Sequence, residues 1–169
     1  MKKFVLSLAL CLGWQGYILG QQIIPAIPIQ DLSGKTLDAT TINNEGQPMV
    51  ISFWATWCKP CVRELNTLSD LYVDWQDETG VKIVAISIDD SRNSARVKPF
   101  VASQGWEYEV YLDANSELRR ALNVNNIPHT FLLNGNGEIV WQHNGYMPGD
   151  EDHLYELIAR LARGESIED

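Results

Sequence analysis

The run Phe53-Trp54-Ala55-Thr56-Trp57-Cys58-Lys59-Pro60-Cys61 constrains the fold more than any other part of this chain. Upstream, Met49-Val50-Ile51-Ser52-Phe53-Trp54 is apolar and rich in β-formers, which predicts a short central buried strand. Downstream, Val62, Leu65, Leu68, Leu71, Tyr72 and Trp75 recur at three- and four-residue spacing. That spacing predicts an amphipathic helix to about Glu78, ended by Gly80. Pro60 is tolerated early in this helix, where its missing N–H has no intrahelical partner anyway. The two cysteines therefore sit where a strand turns into a helix.

The remaining elements extend that β-α unit. Residues 21–30 carry Pro25 and Pro28 and read as an extended leader. Leu32-Ser33-Gly34-Lys35 reads as the turn of an N-terminal hairpin, and residues 44–48 as a loop. A strand is predicted over 81–88, apolar enough to be covered on both faces. A helix follows over 94–104, with Val97, Phe100 and Val101 on its inner face, then a strand over 109–112 and a short helix over 116–122. Strands 130–133 and 139–143 flank Asn134-Gly135-Asn136-Gly137, a hairpin signal because Asn and Gly tolerate positive φ. These glycines join two strands rather than open a helix, so they are not a nucleotide loop. An amphipathic helix over 151–163 carries Leu154, Leu157, Ile158 and Leu161. The predicted class is α/β: one central mixed β-sheet with helices on both faces and an N-terminal β-hairpin extension.

The first residues have a different character. Lys2 and Lys3 precede the short apolar stretch 4–12, the pattern of a secretory signal peptide. This stretch is too short to span a bilayer comfortably, which takes about 20 residues. The expected division is a signal peptide over 1–20, with a cut after Gly20, and one domain over 21–169. Retention as an uncleaved N-terminal anchor and lipidation of Cys11 are the alternatives. Cleavage removes Lys2, Lys3 and Cys11, leaves a charge more negative than the −9 of the full chain, and leaves Cys58 and Cys61 as the only cysteines. So acidic a surface argues against nucleic acid as a partner.

A nucleophilic sulfur must be a thiolate, and a free Cys, with a pKa of about 8.5, mostly is not at neutral pH. Cys58 stands at the start of a helix, where unpaired N–H groups and the helix dipole favour negative charge. Cys61 lies three residues on, close enough for a disulfide without distorting the backbone. Cys58 is thus the attacking sulfur and Cys61 the resolving one. Trp57 should shield the pair and offer an apolar platform to a partner. A zinc half-site would need ligands from His129, His143 and His153, whose spacing fits no finger pattern, so no metal is expected. A static structural disulfide would constrain the unfolded chain little, because its loop is so short.

The run 53–61 resembles the active site of the thioredoxin superfamily and, within it, of the exported TlpA/ResA branch. Asn126-Ile127-Pro128-His129-Thr130-Phe131-Leu132-Leu133 is similar to that family's second signature, and the likeness covers about residues 23–163. The resemblance implies a thioredoxin fold, a cis Pro128 beside the cysteines, and Ile127 as the residue whose backbone holds an incoming peptide. It implies that Ser52 stands where thioredoxin has a buried Asp. Glu64, one helical turn from Cys61, matches an acidic residue of the ResA-like branch and is the candidate proton acceptor. The competing reading makes Glu64 a solvated surface residue that helps the helix dipole. Lys59 should favour the thiolate, an effect reduced by its exposure. His129 is expected to be a strand-edge side chain without a catalytic role.

The function so implied is an exported, periplasmic reductase of protein disulfides, of the cytochrome c maturation type or a related one. It would act through a mixed disulfide, with no cofactor beyond the dithiol, as a monomer. Its implied partners are a cysteine-containing exported protein and a membrane thiol-transfer electron donor. The rivals are a disulfide-donating oxidase or isomerase, a peroxide-reducing relative, and a non-enzymatic binding or metal-handover module. The tryptophan-flanked CxxC counts against the peroxide reading, and the intact cysteines with Pro128 count against the last.

Overall fold

The computed structural model describes residues 22–167; the expected signal segment 1–20 lies outside the described residues. In chain order the elements are β1 (Pro28–Asp31), β2 (Thr36–Asp38), β3 (Met49–Trp54), α1 (Lys59–Thr79), β4 (Lys82–Ser87) and α2 (Val97–Gln104). They continue with β5 (Glu109–Leu112), α3 (Glu117–Ala121), β6 (His129–Leu133), β7 (Ile139–Asn144) and α4 (Asp150–Ala162). The seven strands form one sheet in the order β2-β1-β5-β4-β3-β6-β7.

β3, β4 and β5 run parallel, while β1, β6 and β7 pair antiparallel with their neighbours. The sheet is therefore mixed, and the fold is thioredoxin-like. Every residue of β3 and β6 is buried, which for strands at the middle of a sheet means cover on both faces. Ser52 and Trp54, two apart on β3, share a face. Ser52 meets Glu64 of α1, and Trp54 packs against Phe100 of α2 and against Trp106. That face thus carries α1 and α2, and α4 lies against α1. α1 ends where Gly80 takes a left-handed φ of 69° and its N–H bonds back to Gln76 O.

Two expectations need correction. Residues 28–30 are not leader: they form β1, which pairs with β5 as well as with β2. The N-terminal hairpin is built into the sheet because β5 would otherwise be an open edge, and Ile29, 2% exposed, fills the core beneath it. The helix expected over 94–104 begins as a 3-10 turn at Ser94–Arg96 and becomes α-helical at Val97. Asn93 and Arg96 make no side-chain cap there, so the first turn is held only by backbone bonds.

The register places the functional end of the molecule. Phe53, near the end of β3, lies opposite His129, the first residue of β6. The segment entering β6 is thereby brought beside the segment leaving β3. At the other end Met49 faces Leu133. A surface hollow of about 350 Å³ there is lined by residues such as Ile24, Asn43, Asn134 and Gly135. Neither Cys58 nor Cys61 lines it, so chemistry rather than the size of a hollow locates the site.

Candidate active site

Cys58 is the N-cap of α1, and its Sγ accepts from the backbone N–H of Cys61 at 3.3 Å. Pro60 lies in the first turn. The sulfur thus occupies the positive end of a long helix with an N–H aimed at it, an arrangement that favours a thiolate when the pair is reduced. The two cysteines are joined in a disulfide, their Cα atoms 5.3 Å apart. Cys61 is fully buried and Cys58 is 6% exposed, so Cys58 is the more accessible sulfur, although largely covered in this form. Trp57 beside it is 64% exposed.

The Ile127–Pro128 peptide bond is cis. Ile127 O lies 3.9 Å from Cys58 Sγ, across 69 positions of sequence. Gly145 N donates to Pro128 O, so the turn after β7 supports the proline from its other side. Trp57, Cys58, Ile127 and Pro128 therefore form one contiguous rim.

Glu64 is buried, which excludes the solvated-surface reading. Its Oε1 accepts from Thr130 Oγ1 at 2.7 Å and its Oε2 from Ser52 Oγ at 3.0 Å, while the two hydroxyls lie 3.2 Å apart. Ser52 is thus a partner of the carboxyl rather than a bare replacement for one. The two hydroxyls carry two protons between them, so an ionised Glu64 leaves one of the three contacts without a hydrogen bond. A protonated carboxyl supplies the third proton and closes the ring. Burial pushes the carboxyl up to about 7, against the hydrogen bonds from Thr130 and Ser52, which favour the ion. A carboxyl so poised exchanges its proton near neutral pH, and it lies one turn of α1 from Cys61.

His129 does not lie at a strand edge. β6 is flanked by β3 and β7, and the imidazole is buried against Phe131 with Nε2 3.1 Å from Gln142 Oε1. Burial holds it below the usual histidine range, hence neutral.

Two participants were not found from sequence. Thr130 was read only as part of a strand; its alternation, two places after the proline, could have shown that it shares a face with Ser52. Asp89, fully buried just past β4, accepts from the backbone N and the hydroxyl of Thr56 at 2.8 and 2.7 Å and from Ser87 Oγ at 2.8 Å. It ties down the loop between β3 and the cysteines. Only its position after an apolar strand hinted at this, because its partner lies 33 residues away.

The AhpC/TSA family model matches residues 20–142. The chain is 30% identical over 142 residues to thiol-disulfide oxidoreductase ResA of Bacillus subtilis, covering 84% of this chain and 75% of that protein. It is 31% identical to sporulation thiol-disulfide oxidoreductase A of the same organism, covering 80% and 83%. Among solved structures, an uncharacterized thioredoxin-like protein from Porphyromonas gingivalis is 47% identical, with a TM-score of 0.75 over 83% of this chain and 92% of that one.

Proposed function

Because the chain belongs to the AhpC/TSA family and is a thiol–disulfide oxidoreductase, we propose that it works as an exported reductase of protein disulfides. The observation that supports this most is the buried Glu64, poised near neutral pH one turn from the resolving cysteine. In the proposed cycle the Cys58 thiolate attacks a substrate disulfide, forms a mixed disulfide and expels the first substrate thiolate. Glu64, ionised, takes the Cys61 proton. The Cys61 thiolate then attacks Cys58 Sγ, closes the Cys58–Cys61 bond and expels the second substrate thiolate. Two electrons pass from the dithiol to the substrate, and one proton passes from Cys61 to Glu64.

Trp57, Ile127 and Pro128 are the proposed substrate rim. An extended segment laid against the Ile127 backbone would bring its sulfur to Cys58, since Ile127 O already lies beside that sulfur. The reduced pair of Cys58 and Cys61 carries the electrons, so the proposed cycle uses no cofactor. The proposed clients are exported cysteine proteins such as apocytochrome c, and the proposed donor is a membrane thiol-transfer protein. Among the described residues no helix is long and apolar enough to cross a membrane.

The test is a Cys61→Ser variant expressed in the exporting compartment, with its mixed-disulfide partners identified by mass. Capture of exported cysteine proteins is expected; a variant that traps none overturns the proposal. The direction of electron flow is read from the reduction potential. A value near ~−270 mV supports a reductase, and one near ~−120 mV an oxidase.

A further inference from the structure

Beside Glu64 a small cavity is lined by residues of α1 and α4 together with Thr130, His143 and Tyr146. Its room for a water centre is about 10 Å³, the lower limit for a single water. Glu64 lines one wall and Asp150 another, while His143 Nε2 lies 3.3 Å from Asp150 Oδ2. The side chains of this pair are 40% and 31% exposed, so the cavity runs from a buried carboxyl to a polar pair in contact with solvent.

We propose that Asp150, paired with His143, is a positioning residue for Glu64 that sets, across a one-water cavity, when the carboxyl gives up its proton. This rests on the reading of Glu64 as proton acceptor. The proton leaves Glu64 for the cavity water and reaches solvent at the His143–Asp150 mouth, which leaves a carboxylate behind. Asp150 opposes this step because its own negative charge faces the one being created. A proton on His143 would offset that charge.

The ionisable groups around Glu64 come from every element packed on it. Cys61 lies on α1 itself and is held in the disulfide. Tyr108 and Tyr146 are both pushed upward, chiefly by burial, and are neutral near pH 7. His143 comes from β7, and Asp150 and Glu151 from α4. Glu151 is engaged elsewhere, accepting from Tyr146 Oη and from Gly149 N. Asp150 is the carboxylate whose charge acts on Glu64.

The test follows the Glu64 side-chain carboxyl by NMR in the disulfide form, using chain labelled with carbon-13 in glutamate. It compares the wild type with Asp150→Asn and His143→Lys. Asp150 Oδ2 also accepts from Met147 N, so Asp150→Asn alters the start of α4 as well. His143→Lys leaves that contact intact and places a fixed cation at the mouth, so it decides the matter if Asp150→Asn does not fold. The midpoint is expected to move to lower pH in both variants, and the acid limb of the mixed-disulfide resolution rate should move with it. An unchanged midpoint in folded His143→Lys, or in folded Asp150→Asn, overturns the proposal. If the wild-type resolution rate fails to follow the Glu64 midpoint, the proton-acceptor reading falls instead, while the NMR shifts still judge Asp150.

Discussion

Glu64 is a buried carboxyl, the proton acceptor of the proposed cycle, and its protonation bears on stability as well. Its carboxyl is raised from 4.5 to about 7 by burial, so between those values the folded protein holds a proton that the unfolded chain releases. This contribution is fully present below about pH 4.5 and is lost as pH rises through about 7. The loss is on the order of 3 kcal/mol, since each pH unit of displacement is worth about 1.4 kcal/mol. Urea unfolding of the disulfide form at pH 5 and pH 8 should therefore show a larger drop for wild type than for Glu64→Gln. Equal drops would mean that the buried carboxyl is not the group responsible.

At the scale of elements, the loop between β3 and α1 and the turn between β6 and β7 make opposite demands. Asp89 holds the first through Thr56, two residues ahead of Cys58. Asp89→Ala leaves two hydroxyls and a backbone N–H without their acceptor, a loss of about 3 kcal/mol in unfolding free energy. Thiol exchange at Cys58 should slow as well, because the loop that places the sulfur is released; denaturant titration with a disulfide-reduction assay checks both. The β6–β7 turn lies at the far end of the sheet. A Cβ at Gly135 would stand 2.0 Å from Gly46 O, so Gly135→Ala forces two loop backbones apart. Its expected cost is about 1–3 kcal/mol, with the exchange rate unchanged. A large loss of exchange in that variant would show that the two ends of the sheet are coupled.

For the whole molecule, the N-terminal hairpin is part of the structural unit rather than an appendage. Deleting residues 22–38 removes β1 and β2, exposes the edge of β5, and takes away buried Ile24 and Ile29. Each such side chain is worth about 1.5–3 kcal/mol, so the truncated chain should unfold at clearly lower urea and associate through its open edge. Sedimentation and urea titration measure both effects. A truncated chain as stable and as dispersed as the parent would show that the hairpin is dispensable.

Local chemistry made much of this legible in the sequence. The strand–cysteine–helix run, the helix stop at Gly80, the hairpin at Asn134–Gly137 and the candidate residues Cys58, Cys61, Glu64 and Pro128 depend on neighbours a few positions away, or on short motifs. Other features arise between segments far apart in the chain. Whether Glu64 faces water or the core depended on the sheet, which set Ser52 and Thr130 beneath α1. Asp89 acquires its role only because parallel pairing of β3 and β4 brings their ends together. His129 lies in the interior only because β7 covers β6. Position along the chain therefore determined which residues could do chemistry. The pairing of strands decided which of them are buried together, and with that the protonation of Glu64 and its link to Asp150.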